Sequence, residues 1–291
     1  MPELPEVETV LQGLKANIAD KTKVEKIIIR FPKLRWDIPE QDLNNNIIDQ
    51  KILNISRRGK YLLFKFKTGT MLIHLGMSGV LKLQPLSNGK ISEPSKHDHV
   101  DIILNNNSFL RLNDPRRFGA LLWAKGDVFQ YKLLHHLGPE PLSSDFNFEY
   151  LKNKLNNKNI GIKKFIMDSK NVVGAGNIYA QESLFLSKIH PEKLAKNLSD
   201  FEIKDLIKNI KLILKKAIKA GGTTLKDYKN SEGKPGYFQQ ELLVYGRANQ
   251  KCVICENILK ELKIAGRTTV YCSNCQNDDK NSSCKKSIKS I

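Results

Sequence analysis

Four cysteines near the C-terminal end of this 291-residue chain restrict its folding more than any other feature. They stand as Cys252-x2-Cys255 and Cys272-x2-Cys275, with sixteen residues between the pairs. Two residues between thiols place each pair on one tight turn, and two such turns present four thiolates tetrahedrally to Zn2+. The stretch between them reads as a β-hairpin, with Arg267-Thr268-Thr269 at its turn. A guanidinium there is well placed to reach a phosphate. A closed four-thiolate shell leaves no open coordination position, so the expectation is one structural zinc ion. Cys284 stands outside the pattern and reads as a free, exposed thiol. All five cysteines fall within residues 252–284, which argues for a reducing compartment and against a disulfide framework.

Upstream, hydrophobic periodicity divides the chain. Val7, Val10, Leu11 and Leu14 keep the i, i+3, i+4, i+7 spacing of a buried helical stripe. Pro5 suits the first helical position, where a missing N–H is harmless. Residues 24–30, 52–57, 61–67, 71–75, 100–104, 109–112 and 120–124 read as short strands separated by turn signals such as Lys67-Thr68-Gly69. Repeated short strands imply a sandwich or flattened barrel with the first helix packed on it. Gly138-Pro139-Glu140-Pro141 marks a boundary, and residues 145–220 read as helical. The last helix carries Phe201, Leu206, Ile210, Ile213, Leu214, Ala217 and Ile218 on one face and ends at Gly221-Gly222. Residues 223–247 read as a polar, Gly-rich mobile loop, and the Lys/Ser tail from Gln276 as disordered. The expected fold class is α+β. Its parts are an N-terminal β-sandwich with a flanking helix over 1–125, a linker over 126–144, a helical domain over 145–247, the cysteine module over 248–276 and a tail over 277–291.

Lys and Arg number 48 against 30 Asp and Glu, a net charge of +18. Such an excess points to a polyanionic partner, because each neutralised phosphate releases a condensed counterion. A membrane surface is the competing polyanion. The chain has no long uncharged apolar run, and its start lacks a signal peptide's basic-then-apolar layout. Nucleic acid is the expected partner.

The first residues carry the chemistry. Removal of Met1 would leave Pro2 with a secondary amine, and an α-amino group titrates near about 8. A useful neutral fraction then exists at physiological pH, and attack on an aldehyde-like carbon gives a cationic iminium, an electron sink. Glu3, beside that amine, reads as an acid/base group. Glu6 and Glu8 read first as acidic residues complementing a helix N-terminus.

Pro2-Glu3-Leu4-Pro5-Glu6-Val7-Glu8-Thr9 resembles the N-terminus of bacterial formamidopyrimidine-DNA glycosylases. So do His74-Leu75-Gly76-Met77-Ser78-Gly79, Asp114-Pro115-Arg116-Arg117-Phe118-Gly119 and Val173-Gly174-Ala175-Gly176-Asn177-Ile178-Tyr179-Ala180. Gly233-Lys234-Pro235-Gly236-Tyr237-Phe238 and the cysteine module complete a collinear set over about residues 1–276. The resemblance implies a helix–two-turn–helix element in the helical domain, a zinc finger, and damaged double-stranded DNA as partner. It further implies a monomer in the bacterial cytoplasm, associated with the nucleoid through DNA.

The implied activity is excision of oxidised purines, 8-oxoguanine and formamidopyrimidines, followed by strand cleavage through β,δ-elimination. Pro2 would attack C1′ and Glu3 would shuttle protons at the deoxyribose. Lys60 matches the family lysine of β-elimination, and Arg267 the finger arginine of δ-elimination. Either residue reads equally as a phosphate contact. Such an enzyme must extrude its target nucleotide. Met77, Arg116 and Phe118 match the residues that fill the void, although by type alone Met77 and Phe118 read as core. His97 and Asn177 match DNA-contacting positions, and Asn177 also reads as a helix cap. His74 and His99 read as structural. Asn159, next to Lys158, stands where the family usually has a DNA-contacting lysine. The loop around Thr223 to Tyr237 is expected to cover the flipped base. The tail's lysines would add nonspecific affinity or nothing.

Three other readings stay open. One is the sibling endonuclease VIII type, which prefers oxidised pyrimidines. Another is a noncatalytic zinc-containing binder of DNA damage, against which Pro2, Glu3 and Lys60 argue. The third is an N-terminal-proline tautomerase, which would leave the basic charge and the cysteines unexplained.

Overall fold

The structure is a computed structural model that describes residues 2–19, 22–222 and 241–277. The chain forms two compact units. Of the described residues, one is built on those up to His136 together with the chain from Ala217 to Gly222, the other on Leu137–Lys216 and the segment from Glu241 to Asn277.

The first unit contains α1 (Leu4–Asn17), β1 (Val24–Ile29), α2 (Glu40–Ile47), β2 (Asn54–Arg58), β3 (Tyr61–Lys65), β4 (Gly69–His74), β5 (Val80–Pro85), β6 (Asp98–Leu104), β7 (Ser108–Asn113) and β8 (Ala120–Lys125). Two four-stranded antiparallel sheets, ordered β1-β6-β7-β5 and β2-β3-β4-β8, face one hydrophobic core. Alternate residues supply it: Val100, Ile102 and Leu104 from β6, Met71 and Ile73 from β4, Leu121 and Trp123 from β8. Helix α1 lays Val7, Val10, Leu11 and Leu14 into the same core, as its spacing predicts. The α+β expectation holds for this sandwich. Truncating a fully enclosed ring such as Phe64 to alanine would cost about 3–5 kcal/mol.

Some details depart from the sequence reading. Leu4 is the first helical residue and Pro5 the second, a position whose N–H is equally unused. Strand β4 starts two residues early, at Gly69, which pairs with Lys125 of β8; a Cβ there would meet Ala124 O at 2.4 Å and the Trp123 ring at 2.6 Å. Strand β5 was not among the strands read above; Leu81 and Leu83 alternate with Lys82 and Gln84 along it, and it ends on Pro85, which an edge strand tolerates. Helix α2 contains three consecutive asparagines, poor helix formers, and is held by Leu43 and Ile47, both 0% exposed.

The second unit contains α3 (Phe148–Leu155), α4 (Ile162–Met167), α5 (Asn177–Leu186), most of α6 (Asp200–Lys219) and the hairpin β9 (Lys260–Ile264) and β10 (Arg267–Tyr271). Phe201 is not on the buried face of α6; it is 77% exposed. Five residues separate it from Leu206, about 140° around a helix. The buried stripe instead begins at Ile203 and continues through Leu206, Ile207, Ile210, Ile213, Leu214 and Ala217. Gly221 and Gly222 (φ 77° and 82°) close α6 by donating to Ile218 O at 3.0 Å and Ala217 O at 2.8 Å. That pattern is a Schellman motif. Gln276 is also no part of a loose tail. It is buried, accepts from Cys272 N at 2.9 Å and donates to Ile189 O at 2.9 Å. Among the described residues no helix is long and apolar enough to cross a membrane.

Candidate functional site

Pro2 and Glu3 are both buried at the start of α1. Burying carboxylates requires hydrogen-bond partners, and Glu6, 2% exposed, accepts from Glu3 N–H at 2.8 Å. Glu6 is therefore more than a charge complement to the helix end. Gly222 presses on it, since a Cβ at Gly222 would stand 3.2 Å from Glu6 Oε1. Two residues further, Glu8 pairs with Arg57 Nε at 2.7 Å. Burial works to raise the Glu8 pKa, but hydrogen bonds from Gln12 and Arg57 outweigh it and hold the carboxyl below its ordinary value. Arg57 also donates to Gly59 O at 2.9 Å. Gly59 and Lys60 are the two-residue turn between β2 and β3, with Gly59 at φ 58°. The turn that carries Lys60 is thus fastened to α1, the helix that Pro2 and Glu3 directly precede.

His74, expected to be merely structural, closes β4 in a cationic setting. Its ring is 4.7 Å from the Tyr61 ring. Although the residue keeps some exposed surface, loss of hydration pushes its pKa down to about 4, and the charges of Lys60 and Arg35 add to the effect. The imidazole is neutral near pH 7. Gly76 N–H donates to Nδ1 at 3.0 Å, so the ring proton resides on Nε2 and can be donated.

Two loops pack back to back beyond this histidine. A Cβ on Gly76 would meet Phe118 C at 2.4 Å, and one on Gly119 would meet His74 O at 2.8 Å, so only glycine permits the approach. Asp114, 0% exposed, organises both loops. Its Oδ1 accepts from Ser78 Oγ at 3.1 Å and its Oδ2 from Gly119 N at 2.7 Å. His99 Nε2 donates to Asp114 O at 2.9 Å, aimed there by a bulge between Asp98 and Val100. On this rigid base Met77 and Phe118 are 38% and 44% exposed, which corrects their reading as core residues. Arg116, also exposed, lies 4.9 Å over the Phe118 ring.

His97, half-buried, precedes β6 at the end of a segment held by Arg111. Arg111 pairs with Asp101 at 2.7 Å and donates to Ser92 O at 2.8 Å and Glu93 O at 3.3 Å. Asp101 is fully buried and takes a second guanidinium, Arg30, at 2.6 Å. A buried ion network of this kind adds little net stability but selects one geometry for what it holds.

In the second unit the cap of α5 is Gly176, not Asn177. The Asn177 side chain instead accepts from Lys163 Nζ at 2.6 Å and donates to Thr268 O at 3.2 Å. Lys163 is 0% exposed and also donates to Thr269 Oγ1 at 2.6 Å. Gln181 adds bonds to Thr268 O and from Val270 N at 3.1 and 2.7 Å. These three side chains lock β10 against α4 and α5. Arg267 opens β10, exposed, just after the turn Ala265-Gly266 rather than in it. Asn159 is exposed in the loop between α3 and α4, apart from this lock. Part of the expected mobile loop is also fixed. Leu242, Leu243 and Val244 are buried, and Glu182 accepts from Leu243, Val244 and Tyr245 N–H at 2.9, 3.0 and 2.8 Å. Burial raises the Glu182 pKa, while those three bonds oppose it.

Cys252, Cys255, Cys272 and Cys275 converge, all four sulfurs lying within 4.8 Å of one another. The separations Cys255–Cys272 and Cys252–Cys275 are 3.4 and 3.9 Å. A tetrahedral ion with Zn–S bonds near 2.3 Å needs sulfurs about 3.8 Å apart. Backbone N–H groups of Ile254 and Cys275 point at Cys252 Sγ and Cys272 Sγ at 3.5 and 3.4 Å, as thiolate ligands require. Burial pushes the Cys272 thiol up to about 11, so a thiolate there needs a cation beside it. The four fit a zinc ion.

Sequence reasoning missed Lys163, Gln181 and Glu182. The signal for Lys163 was slight, one lysine after an isoleucine in a lysine-rich stretch. The loop around Thr223 to Tyr237, Cys284 and the tail beyond Asn277 lie outside the described residues.

Three family models match the chain: the N-terminal domain of formamidopyrimidine-DNA glycosylase over residues 1–121, its H2TH domain over 137–229, and a zinc finger found in FPG and IleRS over 249–277. The formamidopyrimidine-DNA glycosylases of Psychromonas ingrahamii and Photobacterium profundum are each 51% identical over 276 residues, covering 95% of this chain and 100% of the relative. Among solved structures, a Lactococcus lactis FPG mutant in complex with a Fapy-dG-containing DNA is 36% identical with a TM-score of 0.87, covering 95% of this chain and 100% of that one. The MutM (FPG) protein of Thermus thermophilus is 33% identical with a TM-score of 0.83, covering 94% and 98%.

Proposed function

Since the chain belongs to the formamidopyrimidine-DNA glycosylase family, we propose that it excises 8-oxoguanine and formamidopyrimidines from duplex DNA and then cuts the strand by β,δ-elimination. It is a DNA glycosylase with a zinc-finger module.

With Met1 removed, the Pro2 nitrogen attacks C1′ of the damaged nucleotide. Glu3 protonates the ring oxygen, the sugar opens, and the base leaves with its electron pair and a proton. The C1′=N+ iminium then acidifies the C2′ hydrogen. Its removal forms an enamine that expels the 3′ phosphate, and a second elimination expels the 5′ phosphate. Lys60 serves the first elimination and Arg267 the second, each beside a phosphate. His74 donates Nε2–H to a strand phosphate without adding charge. Met77, Arg116 and Phe118 fill the space left by the extruded nucleotide, with Arg116 facing the orphaned base. His97 and Asn177 contact the backbone. Asn159 contributes a neutral contact.

One zinc ion holds the finger and takes no part in the chemistry. The protein works as a monomer in the bacterial cytoplasm, on the nucleoid. The domain division is 1–125, 145–247 and 248–276, with a linker over 126–144 and a tail over 277–291.

One observation carries this reading: Arg57 joins the Lys60 turn to Glu8, on the helix that buried Pro2 and Glu3 directly precede. Borohydride added during reaction with an 8-oxoguanine duplex tests it. The reduced iminium should crosslink protein to DNA, with peptide mapping placing the link on Pro2. A crosslink mapped to a lysine, or none in protein that excises the base, refutes the proline mechanism. A thymine glycol duplex processed faster than 8-oxoguanine would favour the pyrimidine-specific sibling class.

A further inference from the structure

Both tryptophans of the chain, Trp36 and Trp123, line one cavity of about 380 Å³ in the first unit. Lys33, Arg35, Tyr131 and Lys132 share its wall. The reaction proposed above uses none of these six, although the charge of Arg35 is felt at His74.

The cavity is built rather than incidental. Its cationic side is a short loop bridged between Lys33 and Asp37, with Ile38 N donating to Pro32 O at 2.8 Å. Leu34 and Ile38 anchor the loop in the core, and Arg35 N donates to Gly119 O at 3.0 Å. The Arg35 guanidinium stacks 4.7 Å over the Trp36 ring. The opposite side is a turn in which Tyr131 N donates to Val128 O and Leu134 N to Tyr131 O, with Leu134 buried. Loops held in this way need little ordering when a ligand binds.

The wall chemistry narrows the ligand. Three cations face one carboxylate, Asp37, which is 82% exposed and 3.6 Å from Lys33, too solvated to neutralise the group. Phosphate alone would not require aromatic walls, and an apolar ligand would not require three cations. Basic and aromatic side chains interleaved in one groove hold a base by stacking and its phosphate by charge.

We propose that this cavity is a nucleotide subsite. It takes one unstacked nucleotide, with the phosphate among Lys33, Arg35 and Lys132 and the base against Trp36 and Tyr131. The nucleotide comes either from a DNA strand or from a free mononucleotide. The subsite goes beyond the glycosylase reading and needs no intact Pro2.

The chain provides its own probe, because tryptophan emission arises only at this cavity. Full-length, zinc-loaded protein is titrated with deoxyadenosine monophosphate, with a short single-stranded oligothymidylate and with inorganic phosphate. Saturable quenching by either nucleotide ligand, and none by phosphate, is the expected result. Arg35→Ala/Lys132→Ala should move the midpoint upward by about tenfold or more, and Tyr131→Leu should weaken the nucleotides while preserving the circular dichroism spectrum. A strand that binds far tighter than the mononucleotide assigns the subsite to DNA; equal midpoints assign it to free nucleotide. No saturable quenching, quenching by phosphate alone, or an unaltered midpoint in the folded double variant would overturn the proposal.

Discussion

The turn that carries Lys60 and the turn that precedes Arg267 are both two residues long, and both set a cation at a strand end. They are supported by different means. Gly59-Lys60 joins strands of an eight-stranded sandwich, with Leu62 and Phe64 fully buried behind it and the Glu8–Arg57 pair bracing it. Ala265-Gly266 joins two five-residue strands whose apolar support is a small cluster around Leu259 and Val270. A two-stranded hairpin is marginal in water on its own. Polar partners from α4 and α5, and the four thiolates, take the place of a large core. A large domain can place a cation by burying apolar surface, whereas a small module relies on metal bonds and specific hydrogen bonds.

Chelation should separate the two turns most sharply. Zinc removal should unfold residues 249–277 and lower incision by on the order of 100-fold or more, while the sandwich stays folded. Amide exchange read peptide by peptide would show it, with deuterium uptake across β9 and β10 rising and that across β3 and β4 unchanged. Equal loosening of both would mean that the sandwich depends on the metal as well.

A smaller effect is expected from Arg267→Ala. It leaves the hairpin folded, weakens duplex binding and reduces the slope of log affinity against log salt by about one. A slope identical to wild type would remove Arg267 from the phosphate contacts.

Smallest is the brace on the other turn. Glu8→Gln should lower stability by about 1 kcal/mol, the worth of a partly buried pair. The sign follows from the depressed carboxyl pKa. The contribution is complete above the ordinary value of 4.5 and is lost as pH falls through the lowered one. Urea midpoints followed from neutral to acid pH should therefore decline less in Glu8→Gln than in wild type below pH 4.5. Parallel declines would show that the pair stabilises nothing.

Much of this was readable in the chain. The cysteine spacing predicts the quartet, and the helical stripe of α1 predicts which face is buried, because both depend on residues a few positions apart. The misreadings share another cause. Phe201 lies near apolar residues in sequence but across the helix from them in space. Gln276 reads as tail by composition, yet its amide bonds Ile189, a residue that no local pattern connects to it.

The sequence by itself determined the local chemistry: four cysteines at metal-ligand spacing, turn glycines and an excess of positive charge. Tertiary structure alone decided that Met77 and Phe118 stand exposed, that Lys163 is enclosed between Asn177 and Thr269, and that two tryptophans 87 residues apart line one cavity. Ligand spacing and helical period are short-range properties of the chain. Burial is a sum over neighbours delivered by distant segments, and it exists only once those segments have packed.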